Sequence, residues 1–240
     1  MIAGAVAIVT GAGSGLGQAT ARVLSRAGAA VTCIDVREDA ARATAEETGE
    51  GALPLVCDVS DADDVARAVA TTLDRFGRLD AVVNAAGVDH TLSVEEMSIA
   101  QWDQVIGVNL RGPFLFAKAA FPVMKRQDGG HIVNVASTGA LRMWANASAY
   151  HASKAGLVAF SRGLSVEGRP YGIRVTTVIP GGMRTHFFDR FAAQGIPAPD
   201  PAKLQDPQNV ADAILYALSA PRDSAIQELL ITPIEETSWP

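Results

Sequence analysis

Short apolar, β-favouring runs alternate with longer segments of helical periodicity along the whole chain, and few architectures accommodate that rhythm. Strand patterns fall at 5–10, 30–35, 53–58, 81–84, 131–136, 173–179 and 228–232, and helical patterns near 15–27, 40–48, 62–76, 100–125, 149–167 and 207–218. Intervening helices of this length are crossover connections, which make the strands they join parallel. Every strand run is apolar enough to be expected buried on both faces. The expected fold class is α/β, a doubly wound, seven-stranded parallel sheet flanked by helices. At 240 residues the chain suits one domain, spanning 1–240. The one long irregular stretch, about 183–206 with Pro197, Pro199 and Pro201, reads as a lid over a binding site. In such sheets ligands bind beyond the carboxyl ends of the strands, so the residues just after each strand bear most on function.

After the first strand comes Thr10-Gly-Ala-Gly-Ser-Gly-Leu-Gly17. Gly11, Gly15 and Gly17, with Ser14 and Leu16 between them, fall where a strand turns sharply into a helix whose N-terminus can face a pyrophosphate. The spacing is Gly11-x-x-x-Gly15-x-Gly17, the shorter G-x-G-x-x-G form failing at Leu16; a tight turn alone would also use these glycines, and it is the acid that follows that makes a dinucleotide site the expectation. The Walker phosphate loop is excluded because Gln18 stands where it needs lysine. Asp35 ends the second strand at the distance where a carboxylate meets the adenosine ribose hydroxyls, and it would repel a 2′-phosphate. NAD is therefore expected over NADP, with Arg37 as the residue able to soften that choice. Asp58, read as ending the third strand, and Val59 are expected to meet the adenine.

Tyr150 and Lys154 stand four apart near the start of a helix, so both point to one side of it. A free phenol titrates near 10, too high for acid/base work at neutral pH, but a nearby ammonium favours the phenolate. Ser137 follows the strand at 131–136, at the sheet's carboxyl edge, where its hydroxyl can steady a substrate oxygen. Asn109 is a poor helix former inside the 100–125 segment and is expected to disturb the backbone there, seating a water linked to Lys154.

Together these residues resemble the short-chain dehydrogenase/reductase family in its compact, single-domain branch. The likeness rests on Thr10-Gly-x-x-x-Gly-x-Gly17, Asp58-Val59, Asn84-Ala-Ala-Gly87, Asn109, Ser137, Tyr150-x-x-x-Lys154 and Pro180-Gly-Gly-Met-Arg-Thr185. The resemblance implies that Asn84 and Gly87 support the cofactor site and that Lys154 also binds the nicotinamide ribose. It further implies that Pro180, Gly181, Met183 and Thr185 surround the carboxamide. The implied reaction interconverts a secondary alcohol, a hydroxy acid among the candidates, and a ketone: hydride moves to or from the nicotinamide while Tyr150 moves the proton. Ala136 stands where many relatives carry a second hydroxyl residue, and the ending Ile226-Gln-Glu-Leu-Leu-Ile-Thr-Pro233 replaces a common Val-Asp-Gly-Gly. Both departures bear on the substrate rather than on the reaction. The resemblance also implies a homo-dimer or tetramer built on paired long helices, where Ala155, Gly156 and Ala159 permit close packing.

His90, Met143, Trp144, Met183, His186, Phe187 and Phe188 are the expected substrate-side residues, and Arg142 or Arg184 could clamp a carboxylate. His151 is read as structural. A net charge of −6 without clustered Lys/Arg argues against nucleic acid. No stretch is long and apolar enough to span a bilayer, and the apolar opening suits a buried strand better than a signal peptide. Cys33 and Cys57 read as core thiols in a reducing, cytoplasmic setting, and no His/Cys spacing suggests a metal. Competing readings are an NADP-dependent carbonyl reductase, a non-catalytic NAD sensor, for which Tyr150, Lys154 and Ser137 would be superfluous, and an epimerase or dehydratase, which needs a larger carboxyl-terminal region. A serine hydrolase lacks its G-x-S-x-G elbow.

Overall fold

The computed structural model describes residues 2–236; the outermost residues of the expected 1–240 unit lie outside the described ones. Seven strands, β1 (Val6–Thr10), β2 (Ala30–Asp35), β3 (Ala52–Val56), β4 (Ala81–Asn84), β5 (Gly130–Val135), β6 (Ile173–Pro180) and β7 (Glu228–Ile231), form one sheet in the order β3-β2-β1-β4-β5-β6-β7. Every strand pair is parallel. The chain winds outward from β1 in both directions, so the crevice between β1 and β4 is the topological switch point.

Period-two alternation divides the core between the two faces of the sheet. Val9, Val31, Val83, Val133 and Val178 pack under α1 (Gly15–Arg26), a corner of α2 (Glu38–Thr48) and a later helix at Pro207–Ser219, through Leu24, Ala45 and Ile214. Ile8, Ile34, Val82, Ile132 and Val175 face the other way, under α3 (Ala62–Phe76), a helix at Gly112–Arg126 and one at Ser148–Gly168. Phe116, Met124 and Leu79 are fully buried there.

Five interior strands are buried as expected, but β3 and β7 are not: both are edge strands and only partly covered. Pro54 in β3 marks the edge, since it has no N–H to give a further neighbour. β3 also ends at Val56, so Asp58 does not end the strand as expected. Cys57 N–H still reaches the Asp35 carbonyl at 3.1 Å. Asp58 Oδ1 then accepts from Ser60 N at 2.8 Å, turning the chain toward the Asp61 cap of α3.

The expected helix at 100–125 is three pieces: α4 (Ile99–Ile106), a π turn at Gly107–Arg111, and α5 (Gly112–Arg126). Gly112 N–H donates to Gly107 O, an i→i+5 bond. Pro113 cannot give the Asn109 carbonyl its α-helical i+4 donor, so the ladder must change register there. The disturbance expected at Asn109 is therefore present, and Pro113 is its covalent cause. The order closes with α6 (Ser148–Gly168), a four-residue α7 (Arg190–Ala193) and α8 (Pro207–Ser219). The 183–206 segment contains α7 and two short 3-10 turns, at His186–Phe188 and Pro201–Lys203.

Candidate active site

A cleft of about 780 Å³ opens along the carboxyl ends of the strands, in the size range of small-molecule sites. Gly11, Ser14, Gly15, Leu16, Gly17, Asp35, Asp58, Val59, Gly87, Ser137, Tyr150, Lys154, Pro180, Gly181, Met183 and Thr185 all line it. Asn84 and Asn109 do not; they support it from behind.

The glycine turn is built by close approach. Gly11 has φ +64°, and a Cβ there would lie 2.9 Å from Ala86 Cα. A Cβ on Gly17 would lie 2.1 Å from the Gly11 carbonyl oxygen, so no side chain fits without moving backbone. What remains at the N-terminus of α1 is a cradle bare of side chains, the kind of site where backbone N–H groups can hold a phosphate. Two features went unread in the sequence. Gly13 N–H donates to Asp35 Oδ2 at 2.9 Å, so the acid after β2 also fixes the turn. Thr10 Oγ1 accepts from both Ala85 N and Ala86 N at 3.1 Å, joining the ends of β1 and β4. The other Asp35 oxygen accepts Arg37 N–H at 3.1 Å, with Arg37 Nε 3.6 Å away.

At the other end of the cleft, the first turns of α6 present Tyr150 and Lys154. Ser137 Oγ accepts from Gly139 N at 3.0 Å, and its hydroxyl acts on the Tyr150 phenol to lower its pKa. Lys154 Nζ donates to Val135 O at 2.8 Å and lies 5.7 Å from the Tyr150 ring centre. Burial dominates the ionisation of both. It pushes the Tyr150 phenol up to about 12, against a lowering by Ser137, and pushes the Lys154 ammonium down to about 8. The lowering of Tyr150 by Lys154 expected from their spacing is not among the causes of its shift.

Asn109 is wholly buried. Its Oδ1 accepts from Val88 N at 2.8 Å, and its Nδ2 donates to Val88 O at 2.8 Å and to Ser153 Oγ at 3.0 Å. It thereby ties the chain after β4 to the helix of Tyr150. A Cβ on Gly87 would sit 3.5 Å from both Asn109 Oδ1 and Lys154 Nζ, so the glycine keeps that space open. Asn84 Nδ2 donates to Asn134 Oδ1 at 2.8 Å, and Asn134 Nδ2 to Ser161 Oγ at 2.8 Å. Asn134 and Ser153 were not singled out in the sequence; the bonds from Asn84 and Asn109 that tie them into the site span 44 to 50 residues.

Among the expected substrate-side residues, Trp144, Met183, His186, Phe187 and Phe188 line the cleft. His90 does not: it faces Gln104 at 2.8 Å, and Gln104 is the lining residue. Met143 points outward, 63% exposed. Neither arginine proposed as a carboxylate clamp lines the cleft. Arg184 is bound to the Leu204 carbonyl at 2.6 Å and to Asp206 at 3.3 Å. His151 bonds the Gly139 carbonyl at 2.7 Å and accepts from Trp144 N at 3.1 Å, holding the loop that carries Trp144.

Residues 5–194 match a family model described as short chain dehydrogenase. An uncharacterized oxidoreductase of Staphylococcus aureus is 32% identical over 95% of this chain and 97% of its own. A 3-ketoacyl-(acyl-carrier-protein) reductase from Brucella melitensis, complexed with NADH, superposes with a TM-score of 0.87 at 32% identity, covering 96% of this chain and 97% of that one. A metagenomic short-chain oxidoreductase in complex with NADP gives 0.84 at 32% identity, covering 97% of this chain and 98% of that one. With both the sequence and the sheet matched over nearly their full length, the chain belongs to the short-chain dehydrogenase/reductase family and is an NAD(P)-dependent oxidoreductase.

Proposed function

We propose that the protein interconverts a secondary alcohol and a ketone with NAD(H), using Tyr150 as the proton-transferring group. The observation that carries this reading is one cleft holding a side-chain-free cradle and Asp35 at one end and the Ser137–Tyr150–Lys154 cluster at the other. The cradle and Asp35 would hold the dinucleotide, and Lys154 its nicotinamide ribose. When bound, the cofactor supplies or accepts the hydride.

Tyr150, protonated in its buried setting, gives its proton to the carbonyl oxygen in the reductive direction. Ser137 holds the same oxygen through its hydroxyl. In the oxidative direction Tyr150 must receive a proton; with the cofactor bound, the Lys154 ammonium and the nicotinamide cation together would favour the phenolate. Asn109 fixes the helix carrying both, and we assign it the water that serves Lys154.

Asp35 supports NAD: its carboxylate is fixed at the strand end and would repel a 2′-phosphate. Arg37, largely exposed at the same rim, is the observation favouring the NADP-dependent reading. Trp144, Phe187, Phe188, Met183 and Leu204 support a substrate with an apolar body. The placement of Arg184, and of Arg142 away from the lining, removes the support for a carboxylate clamp.

Cys33 and Cys57 are buried, unpaired thiols, which suits a reducing cytoplasm. No helix among the described residues is long and apolar enough to cross a membrane. Phe114 of α5 is 45% exposed and packs edge-on to Phe160 of α6, supporting a dimer or tetramer built on these helices.

The test is Tyr150→Phe, assayed over a panel of alcohols and ketones by absorbance of the reduced cofactor. Removing a general acid/base costs about 10²–10⁴ in rate. Turnover should fall that far with NADH affinity kept within about threefold; near-normal turnover would show that the phenol is not the proton carrier.

A further inference from the structure

The chain leaves β6 at Pro180 and returns to the start of α8 through a flap at 183–206 that is fastened at both ends. Its root is held by backbone: Met183 pairs with Gln205 in a parallel bridge, Gln205 N donates to Gly182 O at 3.0 Å, and Arg184 N to Gln205 O at 2.9 Å. Gln205, itself buried, adds a bond from Nε2 to Ile231 O at 3.0 Å.

The tip is held differently. Arg190 of α7 reaches across the cleft to the loop after β4, where its Nη2 lies 2.7 Å from Asp89 Oδ2 and 3.3 Å from Thr91 Oγ1. Gln194 Nε2 donates to Thr91 O at 3.3 Å. The Arg190 guanidinium also lies over the Phe187 ring, 4.2 Å from its centre, and donates to the Phe187 carbonyl. The Phe187 ring stands 5.6 Å from that of Tyr150. One contiguous path thus runs from Asp89 through Arg190 and Phe187 to Tyr150.

Asp89 is not an incidental surface partner. It is 9% exposed, and its second oxygen, Oδ1, is buried with no hydrogen-bond partner. A buried carboxylate is costly without a countercharge, so its presence calls for Arg190. Its 101-residue separation from Arg190 makes the contact a property of the closed fold rather than of either segment.

We propose that Asp89 and Arg190 are positioning residues that clasp the flap to the β4 loop and hold Phe187 as the substrate-facing wall beside Tyr150. This rests on the function proposed above for the site, but the clasp can be tested without turnover. Neither residue lines the cleft, so neither is catalytic.

The two charges also act on the phenol in opposite senses, Asp89 raising its pKa and Arg190 lowering it. Tyr150 is faced by Lys154 and His151 from its own helix, by Asp89 from the β4 loop and by Arg190 from the flap; His186 nearby is paired with Asp189 at 2.8 Å. Removing one member of the clasp should therefore move the tyrosine's titration in a direction set by which member was removed.

The experiment compares Arg190→Met, Asp89→Asn, Arg190→Lys and the reversed pair Asp89→Arg with Arg190→Asp. Limited chymotrypsin digestion reads cleavage after Phe187, Phe188 and Phe191, and NADH titration reads the cofactor end. Both single neutralisations should accelerate cleavage with NADH Kd near wild type, and Asp89→Asn, which leaves no buried charge, should also keep its melting temperature, whereas Arg190→Met strands the Asp89 carboxylate and lowers it; Arg190→Lys should be intermediate and the reversed pair should recover protection.

With any ketone that wild type reduces, kcat/KM should fall about tenfold to a hundredfold, mainly through KM, as for a misplaced wall away from the chemistry. The acid/base limb of the pH profile should shift up in Arg190→Met and down in Asp89→Asn. Wild-type cleavage rates in both neutralised variants would overturn the proposal, as would cleavage that rises in Asp89→Asn only in step with a fall in melting temperature and NADH affinity. Failure to find any ketone substrate would count against the proposed reaction and leave the digestion to judge the clasp.

Discussion

Acid should weaken this protein through one histidine far from the cleft. His131 lies in β5, 3% exposed, with Nε2 2.8 Å from Thr176 Oγ1. That hydroxyl donates its hydrogen to the Ile226 carbonyl, so the imidazole must be the donor through Nε2–H. Nδ1 is then a bare acceptor, buried without a partner. Protonating it would create a second N–H with nothing to receive it. Burial, with the Arg174 charge adding to it, pushes the His131 pKa from its ordinary 6.5 down to about 3.

Because the folded value lies below the unfolded one, the unfolded chain takes the proton first as pH falls. Stability from the neutral imidazole is fully present above about 6.5 and is lost as the pH drops toward about 3. At about pH 5 the gap is roughly 1.5 pH units, and at about 1.4 kcal/mol each this amounts to about 2 kcal/mol. For a chain of 240 residues that is a fall in melting temperature of roughly 4–8 °C.

Carboxylates titrate in the same range, so the comparison that isolates the effect is with His131→Val, which keeps a β-favouring side chain and titrates nothing. Urea unfolding of both proteins between about pH 7.5 and 5 should show wild type losing about 2 kcal/mol more than the variant. Stability curves that stay parallel would refute the assignment of a neutral, Nδ1-bare imidazole.

Two further outcomes concern the cofactor end. Gly17→Ala forces a methyl onto the Gly11 carbonyl, an overlap worth about 1–3 kcal/mol of strain, and should weaken NADH binding by about tenfold or more in a fluorescence titration; an unchanged Kd would show that the turn does not hold the phosphates. Wild-type kcat/KM should favour NADH over NADPH, and Asp35→Ser should erode that ratio by about tenfold; a wild-type preference for NADPH would give the decision to Arg37.

What the sequence made legible was local. Strand and helix periods are set by neighbours two to four residues away, which is why β1, β2, β4 and β6 fall within a residue of their expected bounds. The glycine turn and the Tyr150–Lys154 pair were readable for the same reason. Pro54 and Pro113 were equally local signals, of an edge strand and of the π turn, and went unread because apolar content and helical periodicity dominated their windows.

Misplaced residues have a different physics. Whether His90 or Met143 reaches the cleft depends on a partner such as Gln104 and on how the loop after Ser137 folds back on His151. Arg184 was read as able to hold a substrate carboxylate by a bidentate pair, yet Asp206 and the Leu204 carbonyl capture it from the far end of the flap. Asp89 and Arg190 offered no periodic signature, since neither is explicable without the other.

Thr10 has one further consequence. Where β1 and β4 part at the switch point, the N–H groups of residues 85 and 86 would otherwise be left asking for acceptors at the mouth of the crevice, and a single hydroxyl answers both. The gap between the two halves of the sheet is thus set by protein alone. A dinucleotide bound there, as proposed, would meet walls that the protein has already set, so less of its binding energy would go into rearranging the frame and more would be left for orienting the reacting ring.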